Sequence, residues 1–203
     1  MSLWAIVPMK ALNASKSRLR EVLTPEQRVE LSRGMLLHLL QVLADIPEIE
    51  RTVVVSADPA VLALTEEHGA DALMEKGSPS LNSALSQATA LAEYSHVEAV
   101  LVLPADLPLI EAAEVQDLIE RVQDPPVIII APDRRREGTN ALLVAPPGTI
   151  KYGFGPDSFE RHTQRAEASG ARIEIMELPA LGLDLDTPED LEIYRERFAL
   201  MKE

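Results

Sequence analysis

The sequence predicts an α/β fold built on a largely parallel sheet, and three observations carry that prediction. Short apolar runs alternate with helix-length amphipathic segments along almost all of the 203 residues. Residues 99–103 are apolar without interruption, the pattern of a strand buried on both faces. The residues best suited to chemistry come directly after such runs, where an open α/β sheet binds its ligands.

Taken in order, residues 3–7 form a first buried strand that ends at Pro8. Thr24-Pro25-Glu26-Gln27 is a capping box with proline at the first helical position, and it opens a helix with the apolar stripe Val29, Leu36, Leu39, Leu40 and Leu43. Residues 52–56 are the second strand. Asp58-Pro59 caps a helix ending near Gly69, a short strand follows at Asp71–Met74, and residues 80–93 are helical again. After the strand at 99–103 come a helix at 111–122 and apolar strands at 127–131 and 140–145. A helix at 156–168 stops at Gly170, residues 172–178 alternate as a strand, and Thr187-Pro188-Glu189-Asp190 opens the last helix. There is no repeat, low-complexity tract or flexible linker, so one domain over residues 1–203 is expected.

Charge excludes several function classes. Nineteen Lys and Arg against 33 Asp and Glu give a net charge of -14, which repels long nucleic acid and anionic membrane alike. No apolar run reaches membrane-spanning length. The opening Met1–Val7 stretch is too short for a secretory signal and runs into Pro8 and Lys10, so a cytoplasmic protein is expected. The absence of cysteine removes disulfides, thiolate metal sites and thiol nucleophiles. An anionic ligand would therefore need a local basic site or a metal.

Such a basic site exists, because residues 10–20 contain Lys10, Lys16, Arg18 and Arg20 and no acid. The segment 8–19 holds no glycine, so it is neither a Walker loop nor a dinucleotide fingerprint. Its lysines supply point charges and Arg18 paired planar donors, a set that suits a triphosphate. For any one lysine a solvated turn is the commoner outcome. Four cations without an acid in so acidic a chain favour a site.

Asp106 lies in Leu103-Pro104-Ala105-Asp106-Leu107-Pro108, just beyond the most apolar strand, in a turn stiffened by proline. A carboxylate so placed suits Mg²⁺, which takes one or two carboxylates together with substrate phosphates. An ordinary turn or capping aspartate explains this segment equally well. Leu183-Asp184-Leu185-Asp186-Thr187-Pro188 places two more carboxylates on one side of an extended segment, and with Asp106 they could make a two-metal site. Either Asp186 or Thr187 is expected to cap the following helix, which leaves Asp184 without a structural reason.

Gly138-Thr139-Asn140 and Gly153-Phe154-Gly155-Pro156-Asp157-Ser158-Phe159 offer amides, hydroxyls and a helix start to a phosphate or carboxylate. A tight turn with an N-cap is the alternative for both, and Asp157 should point away from an anion or serve as the cap. His38, His68, His96 and His162 show no metal-ligand spacing and read as surface or interface residues, although His162 could approach an anion from its helix start. No Gly-x-Ser-x-Gly elbow supports a hydrolase.

In order along nearly the whole chain, these segments resemble the guanylyltransferases that act on 2-phospho-L-lactate or phosphoenolpyruvate in biosynthesis of the deazaflavin coenzyme F-420. The most specific parts are Val7-Pro8-Met9-Lys10 with Ala14-Ser15-Lys16-Ser17-Arg18-Leu19, Ala105-Asp106-Leu107-Pro108, Gly138-Thr139-Asn140, Phe154-Gly155-Pro156-Asp157-Ser158-Phe159, and Leu185-Asp186-Thr187-Pro188-Glu189-Asp190-Leu191. The resemblance implies a nucleotide-diphospho-sugar transferase-like, Rossmann-like fold with a mixed, mostly parallel sheet. It implies Mg²⁺ at Asp106, Asp184 and Asp186, and an acceptor site at Thr139, Gly155 and Ser158. Ser80-Leu81-Asn82 looks like the family's Gly-Leu-Asn segment near guanine, with Ser80 in place of glycine, which loosens the inference about the base but keeps Asn82 as a candidate contact.

Charge then suggests the chemistry. A phosphate monoester is mostly dianionic at neutral pH, its second pKa being about 6, so its attack on the α-phosphorus of GTP needs no protein base. The reaction needs neutralised repulsion and aligned reactants, roles that fall to Lys10, Lys16 and Arg18 and to metal held by the three aspartates. Phosphoenolpyruvate is the favoured acceptor. The rival readings are a related nucleotidyltransferase for 3-phosphoglycerate, a sugar phosphate or the molybdenum cofactor, and a non-catalytic nucleotide-binding module. Oligomeric state is open, a homodimer included.

Overall fold

The computed structural model describes residues 1–77 and 80–200. Strand β1 (Leu3–Pro8) is buried at all six positions, as a central strand covered on both faces must be. It pairs in parallel with β2 (Arg51–Ser56) on one side and β4 (Ala99–Val102) on the other. Strand β3 (Asp71–Met74) continues the parallel arrangement beyond β2. On the far side lie β6 (Thr139–Ala145), β5 (Val127–Pro132) and β7 (Arg172–Ile175), giving the order β3-β2-β1-β4-β6-β5-β7.

Strand β6 runs antiparallel to both β4 and β5, so the sheet is mixed rather than uniformly parallel. Its apolar run reads the same in either direction, and strand direction follows from the tight return after β5. The consequence for function is specific. Because Val102 pairs with Leu142, the start of β6 at Thr139 and Asn140 extends past the carboxyl end of β4, beside the turn that carries Asp106. One edge of the sheet therefore collects the ends of β1, β2, β4 and β5 and the beginning of β6.

Helices α1 (Pro25–Ala44), α2 (Pro59–Glu67) and α4 (Ala112–Glu120) cover one face, packing Leu36, Leu39, Val61, Leu64, Val115 and Leu118 against Ala5, Val7, Leu101 and Ile129. Helices α3 (Leu81–Tyr94) and α5 (Ser158–Ser169) cover the other, with Leu85, Ala88 and Ala166 against Trp4, Ile6, Val102 and Ile130. Alternate strand residues thus feed separate clusters, and each fully buried large side chain contributes roughly 1.5–3 kcal/mol. Helix α6 (Pro188–Leu200) lies outside these layers and seats Leu191 with Leu19, Met35 and Leu185.

The expected capping box of α1 is formed in both directions, Thr24 Oγ1 accepting from the Gln27 amide and Gln27 Oε1 from the Thr24 amide. Several boundaries shift by a residue or more, and two of the shifts have a visible cause. Helix α5 begins at Ser158 rather than Pro156, since Asp157 sits in a left-handed conformation with φ of 56° and its side chain makes no capping bond. Strand β7 ends at Ile175, where its pairing with β5 stops, although the alternating pattern continues to Leu178.

Candidate active site

The basic segment after β1 is anchored at both ends. Beyond Pro8 the Met9 amide still donates to Val55 O at 3.0 Å, and the Leu12 amide donates to Asp58 Oδ2 at 3.1 Å. The other oxygen of Asp58 accepts from the Ala60 amide, so one carboxylate caps α2 and holds the loop. Two short 3₁₀ turns follow, Leu12–Ala14 and Ser17–Leu19, with Lys16 between them at φ of 56°. A left-handed lysine costs roughly 1–2 kcal/mol. The neighbouring Leu19, 0% exposed, sinks into the cluster under α6 and holds that conformation.

The outcome is a lysine turned inward. Its side chain is only 6% exposed, and Nζ lies 3.2 Å from Asp106 Oδ2 and 3.1 Å from Asp186 Oδ1. Burial works against the charge of Lys16, but the two carboxylates outweigh it and hold the pKa above its ordinary value. Arg18 stays exposed with Nη1 3.9 Å from Asp186 Oδ2, and Lys10 is exposed without an ion-pair partner among the described residues.

The acidic segment is positioned by its leucines and by two acids, part-buried Glu114 and buried Asp190, that no motif marked as positioning groups. Leu183 and Leu185 are buried at 1% and 0% exposure, which leaves Asp184 and Asp186 on the other side. The Leu185 amide donates to Asp106 O at 3.0 Å, joining this segment to the β4 turn. Glu114 of α4 accepts from the Ala180 and Leu181 amides, and Asp190 accepts from the Asp186 and Thr187 amides while pairing with Arg134. Thr187 Oγ1 accepts from the Asp190 amide, so threonine rather than Asp186 caps α6. Asp184 also has a partner, since Asn140 donates to its Oδ1 at 3.4 Å. Burial, with Asp106 adding, raises the Asp184 pKa to about 6.

Among the described residues no group of three metal-ligating side chains stands ready to hold an ion. The three-aspartate set is therefore not preassembled, and the physical reason is in view. Carboxylates this close need a cation, and the fold supplies the Lys16 ammonium between two of them. Asp106 and Asp186 converge on one positive charge with part-exposed, hard oxygen donors, which is the donor chemistry Mg²⁺ accepts.

The second predicted cluster is drawn together around His162. Thr139 at the start of β6 donates its amide to Ser158 Oγ at 2.9 Å, and its hydroxyl lies 2.9 Å from His162 Nδ1. The Gly153 amide donates to His162 Nε2 at 3.0 Å. Thr139, Ser158 and His162 are 4%, 2% and 0% exposed. His162 is thus a core residue, contrary to the expectation of a surface side chain, whereas His38, His68 and His96 are exposed. Burial first, then Arg165 and Arg161, pull its pKa down to about 4.

Backbone geometry explains the two glycines of this turn. Gly155 has φ of 120°, which side-chain-bearing residues rarely adopt, and a Cβ on Gly153 would lie 2.6 Å from both Arg161 Cδ and Arg165 Nη1. Asn82 joins the turn from α3, its Nδ2 donating to Phe154 O at 3.1 Å and its Oδ1 accepting from the Phe154 amide at 2.8 Å. The candidate base contact therefore clamps the turn that carries Phe154 and Gly155.

A mixed sheet clothed by helices, with cations and carboxylates gathered at one edge, defines the architecture of a nucleotidyltransferase of the nucleotide-diphospho-sugar transferase type. A protein from Desulfovibrio desulfuricans G20, described as a nucleotide-diphospho-sugar transferase, superimposes with a TM-score of 0.77 at 18% identity, over 95% of this chain and 86% of its own. Residues 3–194 match the family described as guanylyl transferase CofC like, and the chain belongs to that family. It is 44% identical over 191 residues to the phosphoenolpyruvate guanylyltransferase of Rubrobacter xylanophilus, covering 94% of this chain and 92% of that protein. It is 34% identical to the 2-phospho-L-lactate guanylyltransferase of Methanothermobacter thermautotrophicus, covering 94% and 83%. No helix among the described residues is long and apolar enough to cross a membrane.

Proposed function

We propose that this protein, acting as one nucleotidyltransferase domain, transfers GMP from GTP to a small phospho-acid in coenzyme F-420 biosynthesis, with phosphoenolpyruvate favoured over 2-phospho-L-lactate. The observation that carries the reading is the convergence of Lys16, Asp106 and Asp186 at the sheet edge, in a chain of this family. The names of the relatives at 44% and 34% identity support a phospho-acid acceptor. A cytoplasmic location belongs to this reading, because both substrates are metabolites of the cell interior.

The acceptor phosphate oxygen attacks the α-phosphorus of GTP. A new P–O bond forms, the bond from the α-phosphorus to the bridging oxygen breaks, and pyrophosphate leaves with that oxygen. No proton has to be removed from the dianionic nucleophile. Lys16 and Arg18 neutralise the triphosphate, Lys10 extends the same basic edge, and Thr139, Gly155 and Ser158 seat the acceptor. Asp106 and Asp186, with Asp184 beside them, would hold Mg²⁺, which when bound supplies charge neutralisation to the reacting phosphates. With a metal ion there to neutralise Asp106 and Asp186, the Lys16 ammonium would be available to the triphosphate.

The test presents GTP and Mg²⁺ with phosphoenolpyruvate, 2-phospho-L-lactate, 3-phosphoglycerate and a hexose phosphate in separate reactions, following pyrophosphate. Release with phosphoenolpyruvate is expected. Release with the hexose phosphate alone would contradict the reading.

A further inference from the structure

Thr139 and Ser158 each offer one hydroxyl proton and acceptor lone pairs, and the direction in which each is used decides whether an anion is welcome there. At Ser158 a protein donor already occupies the oxygen. Ser158 Oγ accepts from the Thr139 amide, so its proton is left to be donated. For Thr139 the direction depends on the tautomer of His162. The Gly153 amide points its hydrogen at Nε2, and a ring nitrogen that accepts a hydrogen bond carries no proton. In a neutral ring the proton then resides on Nδ1, 2.9 Å from Thr139 Oγ1. Neutrality follows from full burial and from Arg161 and Arg165 nearby, which together bring the ring to about 4.

The Gly153 amide is itself fixed in place. Arg161 donates to Gly153 O and to Pro156 O, Arg165 donates to Lys151 O, and the Phe154 ring meets the imidazole edge to face at 4.7 Å between centroids. We propose that His162, locked in its Nδ1–H tautomer by the Gly153 amide, is a positioning residue that makes the Thr139 hydroxyl a hydrogen-bond donor toward the phospho-acid. This rests on the reading of Thr139 and Ser158 as the acceptor site. With the proton on Nδ1, neither hydroxyl proton has an acceptor among the described residues, while a phosphate dianion or carboxylate is acceptor-only. With the opposite tautomer, the bare Nδ1 would take the Thr139 proton, and the hydroxyl would turn a lone pair toward the anion.

The experiment has two arms. Nitrogen-15 NMR of histidine-labelled wild-type protein at pH 7.5 reads the tautomer directly and needs no variant. A protonated Nδ1 and an unprotonated Nε2 are expected, and an Nε2–H tautomer or an imidazolium would overturn the proposal. In the second arm, KM is measured for phosphoenolpyruvate and for GTP in His162→Gln, His162→Asn and Ser158→Ala. The glutamine oxygen can still accept from Gly153 but supplies no donor to Thr139, whereas the asparagine amide can stand where Nδ1 stood. His162→Gln should raise KM for phosphoenolpyruvate roughly tenfold, about the effect of one hydrogen bond to a charged group, with KM for GTP unchanged. His162→Asn should recover most of that loss. If Ser158→Ala moves the acceptor KM and the two His162 variants do not differ, the positioning role is wrong and the acceptor site stands. If Ser158→Ala moves only the GTP KM, the acceptor reading fails and takes this proposal with it.

Discussion

The ammonium of Lys16 lies 3.2 Å from the carboxylate of Asp106, although ninety positions separate them in the chain. This pairing brings the loop after β1 to the turn after β4, two strands that are neighbours in the sheet. It also places a positive charge of the protein itself between the two carboxylates proposed to hold Mg²⁺. Arg18, exposed and 3.9 Å from Asp186, is less committed, and under the proposed function it is the cation assigned to the incoming nucleotide.

Asp106→Asn should nearly abolish turnover while the protein stays folded, since one neutral amide replaces a part-exposed carboxylate. Asp186→Asn should behave likewise without any loss of helix capping, because Thr187 provides the cap of α6. Pyrophosphate release and thermal unfolding, measured on both variants, check this. Full turnover in folded Asp106→Asn would remove the carboxylates from the mechanism.

Arg18→Ala should weaken GTP binding tenfold to a hundredfold, corresponding to roughly 1.5–3 kcal/mol for a charge-assisted hydrogen bond. Acceptor affinity should change little. Ser158→Ala should do the reverse by a smaller factor, because a neutral hydroxyl is lost and the backbone amides remain. Titration of each variant with a non-hydrolysable GTP analogue and with phosphoenolpyruvate separates the two effects.

Asn82→Ala should raise KM for the phospho-acid as well as for GTP, because both polar ends of the amide hold the backbone of Phe154 in the acceptor turn. Steady-state kinetics with each substrate varied in turn provide the measurement. An effect confined to GTP would return Asn82 to the role of a base contact alone.

Acid should act on stability through two opposing groups. His162 falls from 6.5 to about 4 on folding, so its contribution is complete above pH 6.5 and is lost as pH falls toward 4, about 3 kcal/mol in all. Asp184 rises from 3.8 to about 6, so folding is favoured as pH falls through 6 and disfavoured above it. Between pH 7.5 and 5 the two should largely cancel in the wild type. His162→Asn removes the first effect, and its urea midpoint should therefore rise over the same interval. A parallel fall in both proteins would contradict these assignments.

Much of the scaffold was legible because its signals are local. The capping box at Thr24, the Asp58-Pro59 start of α2 and the apolar run of β4 each specify their element within a few residues. The alternation of Leu183, Asp184, Leu185 and Asp186 also put both carboxylates on one side, as found. What the sequence did not disclose depends on contacts across the chain. The direction of β6 is set by its return from β5, and the burial of His162 is set by Gly153, Thr139 and Phe154 together. The inward turn of Lys16 depends on Leu19 sinking under a helix that begins 169 residues after it. Nor could spacing alone show that a lysine would stand between Asp106 and Asp186.

The central claim, transfer of GMP from GTP to the phosphate of a small acid, is tested most directly by following labelled phosphorus. The protein is supplied with Mg²⁺, phosphoenolpyruvate and GTP labelled in either the α- or the γ-phosphate. The α-label should appear in an adduct joined to the acid through a diphosphate, and the γ-label in pyrophosphate. Transfer of the γ-label to the acid, or GTP that binds and keeps its α-label unreacted with every phospho-acid, would contradict the account.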